Sequence, residues 1–167
     1  MSGPGRPERG SLVVRTADLG EEAAQLLVAR LMDDLTQRYG DPDTAPPPQP
    51  DEFAPPGGRF VVAELDGEPV GCGGVRPSSA TSAEIKRMYV APEARGRGVA
   101  RGILSALEET ARAVGYEELR LESGTEQPEA LALYASAGFK PIEPYGYYAG
   151  SPRSRHLGKR LDQEPPA

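Results

Sequence analysis

The sequence predicts a single α+β domain, and three observations support this prediction. The 167 residues suit one domain with a sizeable hydrophobic core. Apolar residues recur at helical spacing in three segments and alternate at strand spacing in several others. A strand also runs through a glycine- and arginine-rich loop into a helix over residues 84–103. We expect the domain to span residues 11–162, between a disordered tail at residues 1–10 and a short tail at residues 163–167.

The first half of the chain predicts a strand, a helix, a long loop and a hairpin. Residues 11–16 are predicted to form a strand, and a helix with apolar residues every three or four positions follows. Residues 41–58 contain too many prolines for a helix or a central strand, so we expect a long loop there. Two β-rich runs within residues 59–75 are joined by Asp66-Gly67, a dipeptide that favours a tight hairpin turn.

The next strand has an irregular hydrophobic pattern. Ile85 is apolar, and so are Met88 and Val90, which means that the side-chain parity slips across Lys86-Arg87. A β-bulge inserts one residue into a strand and would explain the slip. The alternative is a strand buried on both faces that tolerates the two cations.

The loop after this strand has the composition of an anion-binding site. Gly96 and Gly98 let a ligand approach the backbone. The helix that follows begins with N–H groups that lack intrahelical acceptors and with the positive end of its dipole. Arg95, Arg97 and Arg101 repel one another there and oppose that dipole, and a phosphate-rich ligand would relieve both costs. The alternative, a plain turn that caps the helix, does not account for three arginines.

The rest of the chain predicts a helix, a strand, a helix and two strands. The helix after the loop ends at Gly115, and residues 118–123 alternate as a strand. A shorter helix begins near Pro128, a residue suited to a first helical turn. Further strands start at Phe139 and Arg155. The predicted order is therefore β-α-loop-β-β-β-α-β-α-β-β.

Charge and cysteine content narrow the function classes. The formal net charge of -6 argues against a nucleic-acid binder and leaves open a cationic substrate such as an amine. No signal peptide is apparent, and no segment approaches the roughly 20 apolar residues that a membrane span needs. The single cysteine, Cys72, excludes an internal disulfide and favours a reducing compartment, so we expect a cytoplasmic protein. Cys72 is predicted to be a small buried residue, and His156 to be structural or exposed.

Two motifs resemble those of the GCN5-related N-acetyltransferases, the GNAT superfamily. The signature Gln/Arg-x-x-Gly-x-Gly/Ala is matched by Arg95, Gly98 and Ala100, and the strand before them is similar to the family's. A second hallmark, Ala-x-x-x-Tyr-x-x-x-Gly-Phe, is matched in register by Ala130, Tyr134, Gly138 and Phe139. The resemblance covers nearly all of residues 11–162. It implies a three-layer fold with a mixed, mostly antiparallel sheet flanked by helices, which splays after Val90 to admit acetyl-CoA.

The resemblance also implies the cosubstrate and its contacts. Acetyl-CoA would place its phosphates on the loop and its pantetheine arm along the strand after the bulge, and no metal is expected. Where this chain has Gln127 or Glu126, the family often has Asn. The residues that the resemblance assigns to the cofactor are Met88, Tyr89, Val90, Arg95, Gly96, Arg97, Gly98, Val99, Ala100, Arg101, Gln127 and Ala130.

Acetyl transfer to an amine needs a base, an acid and a donor to the thioester carbonyl. The amine must be neutral to attack, and the leaving thiolate must be protonated. Glu84 is the candidate base, acting directly or through water, because the family often has a carboxylate there; Glu122 is the alternative. Tyr134 is the candidate acid, and a backbone N–H near Val90 is the candidate carbonyl donor. The competing interpretations are a solvated glutamate at Glu84 and a core aromatic at Tyr134.

The sequence thus predicts an N-acetyltransferase that acts on a primary amine of a small molecule or a peptide by direct attack in a ternary complex. The alternatives are a non-catalytic CoA-binding or sensory module of the same fold and a transferase of a larger acyl group. The acceptor would contact the loops at residues 36–58 and 143–152, where Tyr145, Tyr147 and Tyr148 could wall a pocket. No nucleic-acid or membrane partner is expected, a homodimer is left open, and the acceptor itself is not identified.

Overall fold

Seven strands and three α-helices make up the part of the chain that the computed structural model describes, residues 11–43 and 45–161. The tails predicted at residues 1–10 and 163–167 lie outside it. The strands are β1 Leu12–Ala17, β2 Arg59–Leu65, β3 Glu68–Pro77, β4 Ser82–Val90, β5 Glu118–Gly124, β6 Lys140–Pro141 and β7 Ser154–Arg160. The helices are α1 Glu22–Tyr39, α2 Val99–Val114 and α3 Pro128–Ser136, with short 3-10 turns at Pro50–Phe53 and Pro92–Ala94.

The strands form one sheet in the order β1-β2-β3-β4-β5-β7-β6. Neighbouring strands pair antiparallel except β4 and β5, which are parallel. The predicted mixed, mostly antiparallel sheet is therefore confirmed. The strand expected from Phe139 is reduced to Lys140–Pro141, since proline cannot donate a hydrogen bond to a ladder.

Helices cover both faces of the sheet and create two hydrophobic cores. On one face, α2 places Ile103 and Leu107 against Val75, Ile85 and Leu121. On the other face, α1 packs with strand and loop residues that include Leu27, Leu31, Phe53, Phe60 and Cys72. The amphipathic pattern of α2 follows from its apolar positions three and four residues apart. Both helices end at glycines with positive φ, Gly40 and Gly115, and the helix end predicted at Gly115 is thereby confirmed.

The bulge predicted in β4 is present at Arg87. Cys72 pairs with Tyr89 and Gly74 pairs with Lys86, so two residues of β4 lie opposite one residue of β3. Arg87 has a φ of 61°, in the left-handed region. The extra residue restores the apolar parity and turns the strand beyond it.

The separation of β4 from β5 begins earlier than expected. Their pairing ends at Ile85 and Leu121, although β4 continues to Val90. The prediction of a splay after Val90 is corrected accordingly: the strands part just before the bulge at Arg87, because the bulge redirects β4. The whole segment from Lys86 to Val90 therefore borders the gap.

Candidate active site

Two cavities open along the gap between β4 and β5. The first, which we call the loop cavity, has a volume of about 420 Å³ and is lined by the loop at residues 94–101, the end of β4 and the start of α3. The second, the side cavity, has a volume of about 290 Å³ and is lined by β4 and β5, the end of α1 and the loop before β7. They share four wall residues: Leu31, Met88, Gln127 and Tyr134.

The loop cavity lies at the N-terminus of α2. Gly98 precedes the first helical residue with a φ of 81°, and no side chain caps the helix. The first turn contains no acidic residue. The free N–H groups and the positive end of the dipole therefore face the cavity, and the first turn of α2 offers them no carboxylate.

Three arginines surround this helix start, and none of them forms an ion pair within residues 11–43 and 45–161. Arg95 donates from Nε to the Val90 carbonyl at 3.2 Å, and Arg101 donates from Nη2 to Ser136 Oγ at 2.9 Å. Arg97 is exposed and lies outside the cavity wall. Every other residue assigned to the cofactor in the sequence lines the loop cavity.

The end of β4 directs backbone groups toward the gap. The N–H of Ala91 donates to the Val70 carbonyl on β3 at 2.8 Å. Because successive amides of a strand point to opposite sides, the N–H of Val90 points away from β3 and into the gap. Val90 lines the loop cavity and thus has an amide directed at whatever occupies it.

Tyr134 stands on α3 where the two cavities meet. Its side chain is buried, and its ring packs edge-on against Phe139 with centroids 5.8 Å apart. Burial, followed by the nearby charge of Glu122, raises the pKa of the Tyr134 phenol. The hydroxyl is therefore protonated at neutral pH, as a proton donor must be.

Glu84 is buried in an ion pair. Its Oε1 accepts hydrogen bonds from Arg76 Nε at 3.0 Å and Nη2 at 2.9 Å, and only 8% of the residue is exposed. Arg76 also binds Glu52 at 3.1 Å and so connects the long loop to the sheet. Glu84 lines neither cavity. Its role as a base stays a prediction, which this placement does not favour.

Glu122 is half-buried on β5 and lines the side cavity beside Tyr134. Burial raises the pKa of its carboxyl, partly opposed by Ser154 and by the charge of Lys86. The sequence named Glu122 only as the alternative base. The local sequence pattern does not distinguish Glu122 from Glu84 as the base. Access to the cavity depends on where the pairing of β4 and β5 ends, which the local sequence does not show.

The remaining walls of the side cavity come from distant parts of the chain. The Tyr148 hydroxyl donates to the Asp43 carboxylate, which joins the loop after α1 to the loop before β7. The Lys86 ammonium lies 5.6 Å from the centroid of the Tyr148 ring, and the Arg153 guanidinium lies 4.7 Å from that of Tyr39. The aromatic loop predicted as a pocket wall thus contributes Tyr148. The cations were not foreseen as site residues.

Cys72 and His156 are both removed from the cavities. The Cys72 thiol is buried and donates to the Arg87 carbonyl, and burial raises its pKa to about 12. Its predicted role as a small buried residue is confirmed. His156 is buried against Tyr145, with ring centroids 5.2 Å apart. Within the described residues, no cluster of three or more metal-ligating side chains occurs, and no helix is long and apolar enough to cross a membrane.

The parted sheet and the arginine-flanked, uncapped helix start fit the class of acyl-CoA-dependent transferases. Residues 28–139 match the model of the Acetyltransferase (GNAT) family. The chain belongs to this family and is an acetyl-CoA-dependent acyltransferase.

Relatives and solved structures agree with this assignment. An IAA acetyltransferase of Azospirillum brasilense is 40% identical over 110 residues, which is 65% of this chain and 72% of the relative. The uncharacterised N-acetyltransferase YjgM of Escherichia coli is 33% identical over 144 residues, or 80% and 84% of the two chains. A provisionally named acyl-CoA N-acyltransferase of Klebsiella pneumoniae has a TM-score of 0.74 at 29% identity, covering 90% and 97%. A GNAT acetyltransferase of Elizabethkingia anophelis, solved with acetyl-CoA bound, shares the fold with a TM-score of 0.64 at 17% identity, covering 89% and 97%.

Proposed function

We propose that the protein transfers the acetyl group of acetyl-CoA to a primary amine of a small molecule, by direct attack in a ternary complex. The observation that carries this proposal is the meeting of two cavities at Tyr134. One cavity has the features of a phosphate site, and the other presents a carboxylate of raised pKa. The side-cavity volume of about 290 Å³ suits a small molecule, and a peptide would have to insert its end.

The loop cavity fits the CoA moiety. The phosphates would be held by the free N–H groups at the start of α2 and by the guanidiniums of Arg95 and Arg101, neither of which forms an ion pair in the described chain. The unpaired edge of β4 from Lys86 to Val90 offers backbone groups to an extended arm. We assign the N–H of Val90 to the thioester carbonyl, where it would stabilise the developing negative charge.

Acetyl-CoA supplies the thioester whose acyl carbon is attacked and whose thiolate departs. We assign the base to Glu122, because it borders the side cavity and its raised pKa makes it a stronger acceptor of the amine proton. It would remove that proton directly or through a water. Glu84 remains the alternative, and its ion pair with Arg76 weighs against it.

We assign the proton donor for the leaving thiolate to Tyr134. The residue borders both cavities, and its phenol is held in the protonated form. Tyr134→Phe keeps the ring against Phe139 and removes only the hydroxyl, so the melting temperature should change little. We expect kcat and kcat/KM to fall together by about 10²–10⁴-fold, with unchanged affinity for acetyl-CoA.

The test is release of free CoA from acetyl-CoA with a broad panel of primary amines. Calorimetric titration with CoA is run in parallel. Binding together with turnover supports the proposal, and Tyr134→Phe then locates the acid. Propionyl-CoA and butyryl-CoA in the same assay measure the acyl preference. Absence of both CoA binding and turnover would overturn the proposal, and full turnover by Tyr134→Phe would make that residue a core aromatic.

A further inference from the structure

Three cations line the side cavity, and none of them forms an ion pair with a carboxylate among the described residues. Lys86, Arg87 and Arg153 all border the cavity. The ion pairs formed by residues 11–43 and 45–161 include none of the three. Three other arginines, Arg15, Arg76 and Arg112, are by contrast paired with glutamates. The cavity wall also holds three carboxylates, Asp41, Asp43 and Glu122, and in the described chain none of them forms an ion pair with these cations.

Two of these cations are held in place at the bulge. Lys86 and Arg87 are both partly buried. Lys86 lies over the Tyr148 ring, and Arg87 Nη1 lies 2.9 Å from the sulfur of Met32. Such contacts orient the side chains without neutralising them. Partial burial of a charge is unfavourable, and a ligand anion bound directly beside these two cations would offset that penalty.

The same cavity carries negative charge on its other wall. Glu122 lies on β5, and Asp43 is fixed by the hydrogen bond from Tyr148. The cations thus come from β4 and from the loop before β7, whereas the carboxylates come from β5 and from the loop after α1. A ligand that satisfies both walls must carry both charges.

The spacing of the two walls follows from the sheet. Ile85 and Leu121 are the last paired residues of β4 and β5, and both point into the core beneath α2. The next residues, Lys86 and Glu122, therefore point to the opposite face from adjacent strands. Neighbouring strands are about 5 Å apart where they pair, and the gap widens beyond that point. An amine and an anion on one short ligand can reach both side chains.

We propose that the acceptor is a free amino acid, with its carboxylate bound by Lys86 and Arg87 and its amine presented to Glu122. This inference rests on the proposed function and adds the substrate class. The carboxylate fixes the ligand in the cavity and so orients the amine toward the thioester. An acceptor without a carboxylate leaves both cations unpaired and loses that orientation.

The experiment compares matched acceptors with the wild-type enzyme. CoA release is measured with the common amino acids, including β-alanine and γ-aminobutyrate. For each one that reacts, its amide and its decarboxylated amine are measured as well. We expect kcat/KM for the free amino acid to exceed that for both counterparts by at least about 50-fold. Equal or faster reaction of the uncharged counterparts overturns the inference and leaves the proposed function standing.

Two variants then assign the preference to residues. Lys86→Met keeps the length of the side chain, and Arg87→Asn places a residue that tolerates positive φ at the bulge. Each should raise KM for the amino acid at least about tenfold, leave KM for acetyl-CoA unchanged and reduce the preference over the amide. Lys140→Met, an exposed lysine outside both cavities, is the matched control and should behave as wild type.

The outcomes separate the two proposals. Turnover with simple amines but with no amino acid overturns the amino-acid assignment alone. Lack of turnover with every amine, together with lack of CoA binding, overturns the function itself. A preference for amino acids that survives in both variants would move the carboxylate site away from Lys86 and Arg87 and overturn the inference as stated.

Discussion

At the scale of single residues, two glutamates on one face of the sheet, Glu84 and Glu122, differ in accessibility and in charge partner. Glu84 is neutralised by two hydrogen bonds from Arg76 and is almost inaccessible. Glu122 borders a cavity, and burial raises the pKa of its carboxyl. A base must exchange a proton with substrate, so accessibility and proton affinity both favour Glu122.

Glu122→Gln removes the proposed base and preserves its shape. We expect kcat/KM to fall by about 10²–10⁴-fold. The pKa of Glu122 is raised above its ordinary value of 4.5. For the wild type, kcat/KM should therefore decrease as the pH is lowered through a pKa above 4.5, because the base becomes protonated. The variant should lack this acidic limb. A pH profile with the limb intact would transfer the role to another group.

The same variant has a distinct stability signature. Folding raises the pKa of Glu122, so the folded protein binds this proton more tightly than the unfolded chain. The contribution of Glu122 to the free energy of unfolding therefore decreases as the pH rises above 4.5, because the ionised carboxylate is less stable in the folded protein than in water. At pH 7, Glu122→Gln should melt at the same temperature as wild type or higher. Calorimetry at pH 5 and pH 7 measures the difference.

Glu84→Gln should show the opposite behaviour. It leaves the Arg76 guanidinium without its buried charge partner, which we expect to reduce the free energy of unfolding by about 3 kcal/mol. Activity of the folded variant should stay within about threefold of wild type. Glu93→Gln is the control, since this exposed carboxylate lies 3.9 Å from Arg30 and contributes little. A stable but inactive Glu84→Gln would restore Glu84 as the base.

At the scale of the element, the loop between β4 and α2 depends on glycine conformation. Gly98 has a φ of 81° at the start of α2, and Gly115 has a φ of 101° at its end. A Cβ at either position would meet no atom within 4 Å. Substitution of either glycine therefore strains the backbone to a similar extent, but of the two only Gly98 lines the loop cavity.

Gly98→Ala and Gly115→Ala form a matched pair. Each should lower the free energy of unfolding by about 1–2 kcal/mol, because an L-residue is disfavoured in the left-handed region. Only Gly98→Ala should weaken CoA binding, by at least about tenfold, since a methyl group there would stand between the phosphates and the helix N–H groups. Chemical denaturation and calorimetric titration give the two numbers. Equal CoA affinity in both variants would reduce the loop to a helix cap.

The sequence predicted elements more fully than it predicted the site. The hairpin at Asp66-Gly67 and the bulge at Arg87 depend on local patterns, namely turn chemistry and apolar parity, and both are present. The point at which β4 leaves β5 depends on a pairing between segments more than 30 residues apart along the chain. The contact of Asp43 with Tyr148 spans 105 residues. Such pairings have no local signal, so the choice between Glu84 and Glu122 could not be made before the strands were placed.

At the scale of the whole molecule, the protein is acidic and its site is not. The chain has 25 acidic and 19 basic residues other than histidine. Arg95 and Arg101 nevertheless line one cavity, and Lys86, Arg87 and Arg153 line the other. Around the loop cavity, the three arginines Arg38, Arg95 and Arg101 outnumber the carboxylates Asp34 and Glu129, and such a local excess of positive charge attracts anionic ligands.

CoA affinity should therefore depend on ionic strength. Raising sodium chloride from about 0.05 M to about 0.5 M shortens the screening length severalfold, and the dissociation constant for CoA should rise with it. Arg101→Gln should weaken binding at low salt and flatten the salt dependence. Arg155→Gln, an exposed arginine beyond both cavities, is the control and should retain the wild-type slope. An affinity that does not respond to salt would argue against phosphate contacts at the loop.

The four residues common to both cavities have a consequence for how ligands assemble. The two cavities have four lining residues in common: Leu31, Met88, Gln127 and Tyr134. A molecule bound in one cavity therefore contacts side chains that also line the other cavity. Each ligand should then bind more tightly when the other is present, and thermodynamic reciprocity requires the two enhancements to be equal. The enzyme would in this way favour the doubly loaded state over either half-loaded one and limit the loss of acetyl groups to water.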